Sequence, residues 1–138
     1  MAAAVTAMSP GVYMETRHKE ILCLSHDRHM LQIRRMLLEH FGYTVLPAAS
    51  PEDAMKLAKR HCPDLLLMDN SDSDIDFEQL AEQMKRLCPD MIVAMLSSYY
   101  YAVPGHSGQA IDRVVAKDEG PTSLISQIAE LFGRTCHQ

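Results

Sequence analysis

The chain has 138 residues, of which 47% are hydrophobic and 22% charged, and its net charge is −5 at pH 7. A single domain of that length buries its own core without help from metals or disulfides. The acidic balance excludes the basic face of a nucleic-acid binder. No apolar run is long enough to span a bilayer, so neither nucleic acid nor membrane is an expected partner.

Met1 to Pro10 lacks both the basic and the apolar region of a signal peptide. Residues 1–19 read as a disordered tail with Met8 and Met14 as alternative starts, and the cytoplasm as the compartment. Ile21–Leu24 predicts the first strand. Arg28–Phe41 predicts a helix with its apolar stripe on Met30, Ile33, Leu37 and Phe41, capped by Asp27 and ended by Gly42. Arg34-Arg35, a short basic cluster, reads as the solvated side of that helix rather than a phosphate clamp. Tyr43–Leu46 predicts the second strand. Ser50-Pro51-Glu52-Asp53 then supplies a cap, a proline at the first helical position and an acid, opening a helix to about His61.

Pro63-Asp64-Leu65-Leu66-Leu67-Met68-Asp69 is an apolar run ending on a carboxylate. Such a run predicts a strand buried on both faces, and its C-terminal tip is where open α/β sheets keep their chemistry. Ile75–Leu87 predicts the third helix, with Phe77, Leu80, Ala81, Met84 and Leu87 inward. Met91–Leu96 predicts the fourth strand. Tyr99 to Gly108 has one Pro, two Gly and no helical period, so a full helix is not expected there. Tyr99-Tyr100-Tyr101 reads either as a contact surface or as packing that replaces a lost helix. Arg113–Ala116 predicts a short fifth strand, and Pro121 opens a last helix through Leu124, Ile125, Ile128 and Leu131.

Strand and helix alternate throughout, which predicts a doubly wound parallel α/β sheet as one domain over residues 20–133, with 134–138 a C-terminal tail. Cys23, Cys62, Cys88 and Cys136 show no Cys-x-x-Cys spacing and read as reduced core or surface thiols. Asp72-x-Asp74-x-Asp76 suggests a calcium loop, but Phe77 and Gln83 stand where an EF-hand needs Gly and Glu, so a solvated acidic loop is expected. His26-x-x-His29 with Asp27 suggests zinc, but no closing ligand pair appears elsewhere.

Five βα units with these landmarks resemble the receiver domain of bacterial two-component response regulators, over roughly residues 20 to 133. The residues that carry the resemblance are Asp69 at the end of the third strand, Ser97 in Met-Leu-Ser-Ser, Lys117 in Val-Val-Ala-Lys, and Gly42-Tyr43-Thr44-Val45. The resemblance implies a flavodoxin-like sheet of order 2-1-3-4-5, with the fourth helix short or missing. It implies Asp69 as phospho-acceptor, Ser97 and Lys117 as phosphate-binding groups, magnesium as cofactor, and a sensor histidine kinase or other signalling protein as partner. The two adjacent acids that hold the metal in that family correspond to Ser25 and His26, leaving Asp69, Ser71 and Asp27 as candidate metal ligands and implying impaired metal binding. The family's proline after the lysine is Asp118, and Val114 stands at its aromatic switch position.

The leading reading is a stand-alone receiver-like signalling module, not an enzyme, acting through protein contacts. Within it two mechanisms compete: phosphorylation of Asp69, or a pseudo-receiver that binds proteins without phosphate; a homodimer is compatible with either. A flavodoxin-like cofactor binder is a lower alternative, because Ser25-His26-Asp27-Arg28-His29 offers no Gly- or Thr-rich phosphate loop. A hydrolase using Asp69 and His26 ranks lowest, since no companion carboxylate or oxyanion donor set is visible.

Overall fold

A computed structural model describes residues 19–71, 74–97 and 110–136, with side chains to Gly133. The strands are β1 (Glu20–Leu24), β2 (Thr44–Ala48), β3 (Leu65–Asp69), β4 (Ile92–Ser97) and β5 (Arg113–Ala116). The α-helices among the described residues are α1 (Arg28–His40), α2 (Pro51–His61), α3 (Phe77–Leu87) and α4 (Gly120–Cys136), with a 3-10 turn at Lys117–Glu119. All strand pairs are parallel, as the alternation of strand and helix predicts, and the order is β2-β1-β3-β4-β5, as the resemblance implies. The N-terminal tail and the segment after β4, with Tyr99–Tyr101 and the eroded fourth helix of the sequence reading, lie outside the described residues.

Alternation along the strands divides the core in two. Leu22, Leu24, Leu66, Met68, Val93 and Met95 pack with Ala54 and Ala58 of α2 and with Leu80, Ala81 and Met84 of α3. Ile21, Cys23, Leu65, Leu67, Ala94, Leu96 and Val115 pack on the other face with Leu31 and Leu38 of α1 and with Leu124, Ile128 and Leu131 of α4. β3 is central and buried along its whole length, which is why it carries no polar residue before Asp69. β2 runs through Pro47, which an edge strand tolerates because one of its sides has no ladder to break.

Two caps form as predicted. The Asp27 carboxylate accepts from the N–H groups of His29 and Met30, and the Ser50 hydroxyl from that of Asp53. Gly42, after α1, has φ +96°, a conformation that only glycine adopts cheaply.

The buried stripe of α1 differs from the sequence reading. Leu31, Arg34 and Leu38 face the sheet, whereas Ile33 and Phe41 are 44% and 53% exposed. Arg34 is therefore not on the solvated side. Hydrophobicity counts placed the stripe one residue off because one inward position belongs to a charged residue with a buried partner.

The cysteines differ as well. Cys62 and Cys88, expected as reduced thiols, form a disulfide with a Cα–Cα distance of 5.6 Å, while Cys23 is a buried free thiol. A separation of 26 residues gives no motif in the sequence. The bond forms because α2 and α3 lie side by side on one face and end at the same sheet edge, each with a cysteine at its C-cap. Among the described residues, no helix is long and apolar enough to cross a membrane.

Candidate functional site

Asp69 closes β3 in phase with Leu65 and Leu67, so its side chain leaves the sheet on the α1/α4 face. Ser25, just past β1, is in phase with Ile21 and Cys23 on that face, and Lys117, just past β5, follows Val115. Three strand ends therefore deliver a hydroxyl, a carboxylate and an ammonium to one spot. α1 crosses above it and contributes Arg34 from its middle turn.

The contacts are close. Arg34 Nη1 donates to Asp69 Oδ2 at 2.7 Å, and Lys117 Nζ lies 2.5 Å from Oδ1. The Ser71 N–H donates to Oδ1 at 3.0 Å, and the Ser25 hydroxyl stands 3.4 Å from Oδ2. Asp69 is 3% exposed and Arg34 7%. Burial pushes the Asp69 carboxyl towards its neutral form. The hydrogen bond from Lys117 and the charge and hydrogen bond of Arg34 outweigh that, and hold it below the ordinary carboxylate range. Each carboxylate oxygen thus has a cationic partner.

The sequence-predicted residues separate into two groups. Asp69 and Lys117 meet, as does Ser71, through its backbone rather than its hydroxyl. Ser97 is buried at the same edge, and its hydroxyl accepts from Asn70 Nδ2 at 3.1 Å. The Asp27 carboxylate caps α1. His26 and His29 are exposed, and among the described residues no group of three or more His, Cys, Asp or Glu converges to hold a metal. Asp76 of the acidic loop caps α3, with its carboxylate accepting from the Gln79 N–H; Asp72 lies outside the described residues.

Arg34 is the residue that sequence reasoning missed. The available signal was a charged residue at the centre of the inward triplet Leu31, Arg34, Leu38, spaced three and four apart. A cavity of about 430 Å³ opens beside this cluster, lined by Met30, Ile33, Leu37 and Leu124 together with Arg34 and Lys117.

No protein-family model matches the sequence, and no curated protein matches it. Solved structures do match. A CheY-like response regulator receiver domain protein from Methanospirillum hungatei is 26% identical with a TM-score of 0.75, covering 85% of this chain and 95% of that one. The response regulator TrrA from Thermotoga maritima, solved with Mg²⁺ and BeF, is 22% identical with a TM-score of 0.72, covering 82% and 98%. A complex of the histidine kinase ThkA with TrrA matches at 22% identity and a TM-score of 0.72, covering 82% and 97%. The chain has the fold of a response-regulator receiver domain.

Proposed function

We propose that this protein is a receiver-type signalling module of a bacterial two-component system, working in the cytoplasm through protein contacts and without catalysing a reaction. Within that reading it is a pseudo-receiver, whose Asp69 is held in a closed ion cluster instead of being presented for phosphoryl transfer. The observation that carries the proposal is the Arg34 guanidinium 2.7 Å from Asp69 Oδ2, with Lys117 on Oδ1. A carboxylate attacks phosphorus through an oxygen lone pair, and here both oxygens are engaged by buried or half-buried cations.

The residues present do not suit a magnesium ion. Mg²⁺ seeks oxygen ligands in octahedral array, usually one or two carboxylates. At the two positions after β1 stand Ser25, whose hydroxyl is shared between Asp69 and the Asp27 backbone, and the exposed His26. Asp27 is committed to its cap. Arg34 supplies in covalent form the positive charge that a metal would otherwise bring to Asp69.

A protein partner is supported by the matching kinase–regulator complex and by the apolar side chains that α1 and its C-cap leave exposed, Ile33, Met36 and Phe41. A sensor kinase or another signalling protein fits that face, and a second copy of this chain is the rival occupant.

Incubation with acetyl phosphate and Mg²⁺, followed by intact-mass measurement at neutral pH, tests the reading. We expect no phosphoryl adduct on the wild type. We expect one on Arg34→Ala/His26→Asp, which removes the guanidinium and restores an acid. A wild-type adduct that is lost in Asp69→Asn would overturn the proposal and favour Asp69 as a working phospho-acceptor.

A further inference from the structure

At the sheet edge opposite Asp69, a second reactive pair has no part in the proposed function. Cys62 caps α2 with φ +43°, a left-handed conformation in which glycine is the ordinary residue and a side chain is strained. Cys88 caps α3, is 5% exposed, and packs against α2 with its sulfur 3.7 Å from the Ala58 carbonyl oxygen. Cys62 is exposed. The last turns that lead into the two cysteines carry Lys59, Arg60, His61, Lys85 and Arg86. Of these, His61 faces Glu20 and Lys85 is paired with Asp112. Neighbouring positive charge favours thiolate over thiol and draws anionic reagents towards the exposed sulfur.

We propose that Cys62 and Cys88 form a reversible thiol–disulfide exchange site, with low-molecular-weight thiols and disulfides of the glutathione class as co-reactants. Its oxidation state sets how firmly α2 and α3 are tied together. In reduction, a small thiolate attacks Cys62 Sγ, the accessible sulfur. The protein S–S bond breaks, and Cys88 leaves as a thiolate that takes a proton from water. A second small thiolate then attacks the small-molecule sulfur of the mixed disulfide and releases the Cys62 thiolate, which is protonated in turn. Two electrons pass from two small thiols to the protein, and one small disulfide departs. Oxidation is the reverse, ending with Cys88 attacking Cys62 Sγ.

The location gives the bond its consequence. The loop it closes, residues 62–88, contains the whole of β3, Asp69 and α3. Chain entropy for a loop of that length predicts an unfolding constant roughly 400-fold smaller for the oxidised protein. Cys23 lies outside the exchange: burial pushes its thiol up to about 12, which leaves it protonated and shielded.

The test equilibrates the full chain in buffers of graded reduced-to-oxidised glutathione ratio. Samples are then acid-quenched, unfolded, alkylated with N-ethylmaleimide and peptide-mapped. Cys62 and Cys88 are expected to lose label together in one two-electron transition, while Cys23 stays labelled throughout. Guanidinium melts should show the roughly 400-fold difference between oxidised and reduced wild type, as the loop length predicts. The Cys62→Ser/Cys88→Ser variant should unfold like the reduced protein at every ratio. Asp69→Asn should leave the exchange curve unchanged, which separates this site from the proposed function. The proposal fails if both cysteines remain alkylated even in fully oxidised glutathione, or if the bond resists every reducing ratio. It also fails if either cysteine pairs with Cys136 instead, or if the double variant keeps the redox-dependent stability.

Discussion

Replacing Arg34 with Met and Asp69 with Asn, singly and together, measures how strongly the cluster at the head of β3 is coupled. In Asp69→Asn the two cations lose their common anion. The Lys117 side chain is 24% exposed and can turn to water, but that of Arg34 is 9% exposed and cannot. One stranded buried charge costs about 3–5 kcal/mol, and release of Lys117 places the variant near the lower figure. In Arg34→Met the carboxylate keeps Lys117 and the Ser71 N–H, and Met replaces most of the arginine stem. The loss is then one hydrogen bond between charged groups, about 2 kcal/mol. The double variant strands neither charge, so its cost should fall below the sum of the two by about 2 kcal/mol. Urea melts followed by far-UV circular dichroism, at constant m-value, give all three numbers. Additivity within about 0.5 kcal/mol would refute the argument, because it would mean that Arg34 and Asp69 do not sense each other.

The same cluster sets a pH dependence. The Asp69 carboxyl is held below its ordinary value in the fold. Its contribution to stability is complete above the unfolded-state value of about 3.9, and is lost as pH falls through the lower folded value. Acid melts of the wild type should therefore show a stability loss that is absent from Asp69→Asn; matching profiles would contradict the shift. Asp27→Ala removes the α1 cap and should cost about 1 kcal/mol in urea melts, while leaving the Arg34–Asp69 coupling intact. Leu66→Ala, at a wholly buried position of the central strand, should cost about 2–5 kcal/mol, and a loss under about 1 kcal/mol would mean that the core closes around the gap.

Much of this fold is written in local patterns. β5 falls where its two valines place it, and β3 announces itself because a doubly covered central strand has no room for alternation. Ser50 and Asp27 declare their caps because a helix start needs an acceptor within a few residues. What escaped the sequence is pairwise and long-range. Arg34 and Asp69 are 35 positions apart, and Cys62 and Cys88 are 26 apart. Neither pair follows from hydrophobicity or spacing, since only the stacked register of the strands and the packing of α1 and α2 bring the partners together.

The same distinction bears on the site. Asp69 was legible because it ends an apolar strand whose burial fixes its address, whereas Lys117 was reached through the resemblance to receiver domains. Arg34 was not legible, because an arginine on a helix is ordinarily solvated and its apolar neighbours Met30, Ile33 and Leu37 drew the predicted stripe away from it. The displacement of that stripe has a chemical cause. A buried carboxylate at the tip of β3 needs positive charge. An arginine turned inward from α1 supplies the charge, and turning it inward rotates Ile33 and Phe41 towards solvent. The ion pair at Asp69 and the exposed apolar strip on α1 are thus two results of one helix orientation. A protein that signals by contact rather than by phosphate would use the second.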